Sequence, residues 1–414
     1  MPILTFSSRT TVLASLALAL LTFRSLAQDS RGFKFNNLTV SPYVNLECTY
    51  DSNVYYSQQR GNSGNNHGQA ELSDTILTIN PGVDLTYTGN EWGLVGNAWY
   101  GYDRYTDVDQ LNADRYGESF KFYREAAKGW RLVLDQSYVK SAQNDSIADG
   151  GRGLWRDREQ FELKGALSYQ LSEKTGLTLS GMYSDLSYAN DNSQQNAAPL
   201  YGWQEYTIGL EVARKLTEKS NLLISGSYQE YISDGVQGSG SNGSGDNSTG
   251  YTLMAGLGSR ATERIRYRVL TGVNMFDYAG GDQLVGWSYS LDASWIINKK
   301  LAASIAGSSY FQPSERESNQ AMQVYALSTG LIYRPMRKLS TRLDLAVRRE
   351  ENQDTGGTAN DGTDDQYSVR ARADYQLMRY VSVYGGVEYE KQIADASADA
   401  FDRYRGQLGL SFRY

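Results

Sequence analysis

Residues 285–297 read VGWSYSLDASWII, and their polarity alternates almost without a break. Val285, Trp287, Tyr289, Leu291, Ala293, Trp295 and Ile297 fall on one side. Gly286, Ser288, Ser290, Asp292 and Ser294 fall on the other, with Ile296 the exception. A period of two belongs to a β-strand with one apolar and one polar face. The apolar face carries a Trp near each end. At a rise of roughly 3.3 Å per residue and a tilt of about 40°, the two indoles stand about 20 Å apart along a membrane normal. That is close to the height of the apolar band of an outer-membrane barrel, which aromatic girdles flank at both interfaces. A strand of a soluble β-sandwich alternates too, but it has no reason to bracket its apolar face with Trp.

The composition agrees. Among 414 residues there are 32 Tyr, 7 Trp and 41 Gly but only 6 Pro. Tyr and Gly suit strands that meet a membrane interface and pack closely. The mean hydropathy of −0.53 excludes a helical membrane protein. It fits a barrel, half of whose strand residues face water. A formal charge of −7 argues against a nucleic-acid partner. Cys48, the single cysteine, is in phase with Val44, Leu46 and Tyr50 and reads as a packing residue. One Cys and one His make neither a disulfide framework nor a Cys/His metal cluster, and no cofactor is expected.

Residues 1–27 have the form of a cleaved secretory signal. Arg9 gives the positive end, residues 12–23 the apolar run, and Ser25-Leu26-Ala27 a small-x-small cleavage site. Residues 28–38 read as a short polar periplasmic lead, and residues 39–414 as one all-β barrel. Strand-like stretches are expected at 40–56, 74–88, 91–105, 113–124, 129–141, 155–171, 175–189, 201–216 and 220–233. They continue at 249–261, 264–278, 284–298, 300–312, 320–334, 338–350, 366–378, 380–393 and 400–414. The count of about eighteen is even, which returns both chain ends to the periplasm. Connections alternate in length. Thr88-Gly89-Asn90, Ser172-Glu173-Lys174, Asn298-Lys299-Lys300 and Met378-Arg379 are short. Residues 57–73, 190–200, 235–249 and 352–365 are long. Short periplasmic turns and long extracellular loops are the outer-membrane pattern of an up-and-down antiparallel barrel. The stretch 237–250, QGSGSNGSGDNSTG, reads as a flexible loop.

Charge lands repeatedly on one face. Arg266, Arg268, Asp292, Arg342, Asp344, Arg348, Arg370, Arg372, Asp374, Glu388, Arg403 and Arg405 alternate with apolar neighbours and are expected to line the lumen. An Arg or Lys on the lipid side near the midplane costs about 2–4 kcal/mol. Lumen charges either tune which solutes pass or simply cross-pair and fill the interior. Trp92, Tyr100, Trp287, Trp295, Tyr375, Tyr389, Tyr404, Phe412 and Tyr414 are expected to form the girdles. Tyr404, Leu408, Leu410, Phe412 and Tyr414 also make a final amphipathic strand that ends on an aromatic. Such an ending resembles the signal read by the barrel-insertion machinery, with Tyr in place of the commoner Phe.

The opening strands carry a family resemblance. Glu47 to Tyr55, ECTYDSNVY, followed after a loop by Ser73-Asp74-Thr75-Ile76 and Asn80-Pro81-Gly82-Val83, is similar to the start of the Putative beta-barrel porin 2 family. The resemblance implies an outer-membrane barrel, and for some members a link to polysaccharide export systems. Pro81 lacks an N–H, so its place inside a strand implies a bulge or an edge.

No enzyme is expected. Barrel enzymes generally need a His base beside a Ser or an acid. His67 is the sole candidate, near Ser63 and Glu71 in a Gly/Asn-rich loop that gives no sign of rigid placement. Residues 354–365, DTGGTANDGTDD, offer oxygen ligands but lack the spacing and closing Glu of an EF-hand loop. The leading expectation is a porin-like channel for small polar solutes, or a barrel tied to polysaccharide export, with outer-membrane lipid as its surroundings. The alternatives are a closed barrel with surface-binding or adhesion loops and a secreted soluble β-protein.

Overall fold

A computed structural model describes residues 32–54, 72–126, 129–141, 157–188, 202–233, 247–259, 262–277, 283–313, 321–353, 362–394 and 400–414. The first half of the chain forms β1 Phe33–Phe35, β2 Leu38–Asp51, β3 Asp74–Thr88, β4 Trp92–Tyr105, β5 Ala113–Ala126, β6 Trp130–Ser141, β7 Arg158–Ser172, β8 Thr175–Tyr188 and β9 Trp203–Lys215. The second half forms β10 Ser220–Ser233, β11 Asn247–Ser259, β12 Ile265–Asp277, β13 Leu284–Ile296, β14 Leu301–Pro313, β15 Ala321–Met336, β16 Leu339–Gln353, β17 Thr363–Met378, β18 Val381–Ala394 and β19 Phe401–Arg413. A single 3₁₀ turn, Asp109–Leu111, lies between β4 and β5.

From β2 onward each strand pairs antiparallel with the next, and β19 pairs with β2, from Arg413 opposite Tyr43 to Arg405 opposite Asp51. The result is a closed barrel of eighteen strands. Closure removes the sheet edges that a membrane would leave unpaired. All eighteen stretches expected from the alternation are strands.

Three boundaries differ from expectation. Residues 28–38 are not a plain lead, because Phe33–Phe35 forms a hairpin with Leu38–Val40. Asn36 turns it at φ 53°, a conformation that Asn tolerates better than most residues. This short strand continues the line of β19, and Phe33 packs on Tyr414 with ring centroids 4.6 Å apart. Next, residues 247–250 of the expected flexible loop belong to β11. Last, Asp364 and Asp365 of the expected acidic loop lie in β17, where Asp365 accepts hydrogen bonds from Arg349 at 2.7 and 2.9 Å.

Pro81 makes neither a bulge nor an edge. Ile79 faces Tyr102 and Gly82 faces Trp99, so the register runs through unshifted. The Tyr100 carbonyl, which the missing N–H would have served, accepts instead from Asn80 Nδ2 at 3.0 Å. Asn80 Oδ1 in turn accepts from Asn45 Nδ2 of β2 at 3.3 Å. A side-chain amide thus fills the gap in the backbone ladder.

In most strands one face is apolar and exposed, as in Leu46, Ile79, Ile208, Leu253, Trp287 and Val387. In an outer-membrane barrel this face meets lipid, where burial is supplied by the bilayer rather than by a protein core. Cys48 shares it. Glu118 lies on it as well, one pair below Tyr116 and opposite Tyr138.

Candidate functional site

Two arcs of the lumen wall stand out. The first, on β16 to β19 with β2 and β3, is charged. Arg342 Nε stands 2.5 Å from Asp344 Oδ2, and Arg348 Nε 2.6 Å from Glu350 Oε1. Arg372 pairs with Asp374 at 2.9 Å and lies over the Tyr384 ring. Arg370 reaches Glu388 on β18, which also takes Arg405 of β19 at 2.8 Å. Arg403 grips Asp51 of β2 with Nε at 2.9 and 3.0 Å and with Nη2, and reaches Glu390 at 3.4 Å. Arg413 meets Asp84 of β3 at 3.1 Å. Fully buried ion pairs are stabilising only when their geometry is good and further hydrogen bonds complete them. Asp51, with no exposed surface, meets that condition by also accepting the Asn53 N–H at 3.0 Å.

The second arc, on β8 to β14, is rich in small hydroxyls. Period-two alternation puts Ser180, Thr207, Ser225, Ser227, Thr252, Ser288 and Ser290 on the inner side, where they line a cavity of about 100 Å³. One ion pair crosses it: Arg268 Nη2 lies 2.7 Å from Glu211 Oε2. Among the described residues, Glu211 Oε1 and Arg268 Nε have no hydrogen-bond partner although both are buried. Unsatisfied buried polar atoms are costly, and a bound polar group offsets that cost. Toward the extracellular end this arc turns apolar. Leu186, Trp203, Tyr231, Phe276, Phe311 and Ala321 form a buried cluster on the inside.

All twelve charges expected in the lumen lie on inner strand faces. Arg342, Asp344, Arg348, Arg370, Arg372, Asp374, Glu388, Arg403 and Arg405 come together in the charged arc. Arg268 stands apart in the hydroxyl arc, directly opposite Asp292, with Arg266 opposite Ser294. The expected girdle residues sit on the outer face at two levels. Tyr100, Trp287, Tyr389 and Tyr404 lie toward the long loops. Trp92, Trp295, Tyr375, Phe412 and Tyr414 lie toward the short turns. Tyr389 packs on Tyr404 at 4.6 Å, and Tyr414 stacks on Tyr380 at 5.2 Å. His67, Ser63 and Glu71 lie outside the described residues, as do residues 1–31 and 354–361.

The charged residues of the two arcs missed in the sequence are Arg413 and the acidic partners Asp51, Asp84, Glu211, Glu350 and Glu390. Each is in phase with its strand's polar face, so alternation alone could have found them. What alternation could not show is the pairing, since Glu211 and Arg268 are 57 positions apart.

Several outer-membrane proteins have a similar fold. The ferric enterobactin receptor PfeA of Pseudomonas aeruginosa is 8% identical, with 91% of this chain and 80% of that chain covered at a TM-score of 0.45. The outer membrane protein OpdK of the same organism is 10% identical, with 91% and 99% covered at 0.44. A loop-deletion mutant of OmpT of Vibrio cholerae is 12% identical, with 92% and 100% covered at 0.36. No curated protein matches the chain. The opening strands that carry the resemblance noted above lie outside the one family match. This outer-membrane β-barrel matches the family described as Putative beta-barrel porin 2 over residues 239–414.

Proposed function

We propose that this porin-like barrel is a passive channel for small, polar, hydroxyl-bearing solutes. The observation that carries this reading is the pair of unpartnered atoms, Glu211 Oε1 and Arg268 Nε, in a cavity ringed by Ser and Thr. An acceptor and a donor side by side suit a hydroxyl, which both donates and accepts. The pair carries no net charge, so it does not favour an ion over a neutral solute. The charged arc opposite has its Arg and acid groups matched, some along one strand and some across neighbouring strands, which sets a transverse field without a strong overall sign. A role beside a polysaccharide export system is the finer version of this reading, because a saccharide chain offers hydroxyls in series to the successive strands of the second arc. No catalytic step is proposed.

Planar-bilayer recording tests the channel. Folded protein is expected to give discrete conductance steps, reduced in a concentration-dependent way by a neutral oligosaccharide and less so in Glu211→Gln. Folded protein without conductance would instead favour a closed barrel that acts through its surface loops. The apolar cluster at the extracellular end of the second arc is the feature that such a barrel would use to shut itself.

A further inference from the structure

The wall has one incomplete seam. The β13–β14 ladder runs from Ile296 opposite Ala302 only as far as Ser290 opposite Ser308. Both strands continue, β13 to Leu284 and β14 to Pro313. Each stays paired on its other side, β13 with β12 up to Phe276 and β14 with β15 up to Ala321. The sheet is therefore slit between two intact halves, over the extracellular half of the wall.

At the slit β14 passes behind β13. Alternation puts Ser309 and Phe311 on the lipid side with Ile305, yet each is 2% exposed. The Phe311 ring lies against inward-facing Phe276, with centroids 6.0 Å apart. It also fills the space over Gly286, where an added Cβ would stand 2.7 Å from Phe311 Cζ. Outside, Trp287 and Val285 stay 72% and 61% exposed, so β13 forms the lip. Side-chain hydrogen bonds take the place of the backbone ladder. Ser288 Oγ donates to the Ser309 carbonyl at 2.9 Å, and Ser309 Oγ and Gln323 Nε2 donate to the Trp287 carbonyl at 3.1 and 3.3 Å. These bonds break singly, whereas a ladder opens only cooperatively. The hydroxyl-lined cavity lies directly behind, because Ser288, Ser290, Ser308 and Ser309 line it too.

We propose that this slit is a lateral port, drawn closed, through which a solute with a neutral hydroxylated head and an apolar tail passes between the cavity and the outer leaflet. The head matches the Ser hydroxyls and the neutral Glu211–Arg268 pair. The tail leaves past Val285 and Trp287, whose apolar surface already faces lipid. The port differs from axial conduction, and a barrel that conducts nothing along its axis could still use it.

Accessibility in vesicles tests the port. Full-length Cys48→Ser protein carries a single cysteine at Ser288, behind the slit, or at inward-facing Ser368 in the unbroken ladders of β17. Each is labelled by a pyrene maleimide dissolved in the bilayer and, separately, by a water-soluble maleimide. The ratio of the two rates is expected to be several-fold higher at position 288. Adding Gln323→Ala and Ser309→Ala, in protein that keeps its heat-modifiable migration, should raise that ratio further. Octyl glucoside below its micellar concentration should protect position 288. Glucose alone, or an alkyltrimethylammonium of equal chain length, should not. Equal ratios at 288 and 368 would overturn the port, even if the latch variant failed to fold. Protection by glucose alone would mean entry from the lumen, and protection by the cationic amphiphile would overturn the neutral head.

Discussion

Leu291 and Asp292 are adjacent, yet they answer to different solvents. Leu291 lies on the face that meets lipid, and Asp292 lies inside, opposite Arg268. Leu291→Arg is expected to cost about 2–4 kcal/mol, as for a cation at the bilayer midplane, and to lower the folded fraction seen as heat-modifiable migration. Asp292→Asn should leave that fraction unchanged and shift the reversal potential in a salt gradient toward anions. The opposite pair of outcomes would invert the facing of β13. The face of each residue was legible in the sequence because alternation is a local property. The partner of each charge was not, since strand register sets it over separations such as that of Glu211 and Arg268.

At the scale of the strand, a residue that cannot join the ladder shows how the wall tolerates defects. Pro81 withholds an N–H, and Asn80 supplies one in its place. Asn80→Ala should strand the carbonyl of Tyr100, a residue on the face that meets lipid, away from water, and cost about 1–3 kcal/mol, as for an acceptor left unpaired outside water. In a Pro81→Ala background the backbone N–H returns, so the same Asn80→Ala change should cost little. Urea unfolding of the four proteins in detergent measures the coupling, and additive losses would rule out the compensation. Sequence placed all eighteen wall strands because a period of two persists over thirteen residues or more in most of them. It could not place β1, since three residues are too few to show a period. It misread Pro81 because the rule for proline counts backbone donors and not a neighbour's amide. The slit beside β13 was equally hidden: Phe311 has the right phase for lipid, and only the path of β14 behind β13 turns it inward.

Across the whole molecule, a closed barrel depends on the joint between its first and last strands, which no turn holds together. The β19–β2 ladder supplies that joint, and Arg403 fastens its extracellular end by gripping Asp51 and reaching Glu390. Ser52 and Asn53 extend the joint past the ladder, through Ser52 N to the Tyr404 carbonyl at 2.9 Å and Asn53 Nδ2 to the Asp402 carbonyl at 3.1 Å. Removing one member of a fully buried pair leaves the other charge without compensation, which costs about 3–5 kcal/mol. Arg403→Ala should therefore lower the urea midpoint strongly, and Arg403→Ala with Asp51→Ala should recover much of the loss, because the stranded carboxylate is gone. Arg349→Ala is the control. Its pair with Asp365 has comparable hydrogen bonds but sits exposed at the outer rim, where water already solvates both groups, so the midpoint should barely move. If Arg349→Ala cost as much as Arg403→Ala, burial would not be what makes the joint strong. If the double variant were no better than Arg403→Ala alone, the loss would lie in packing around the guanidinium rather than in the unpaired charge.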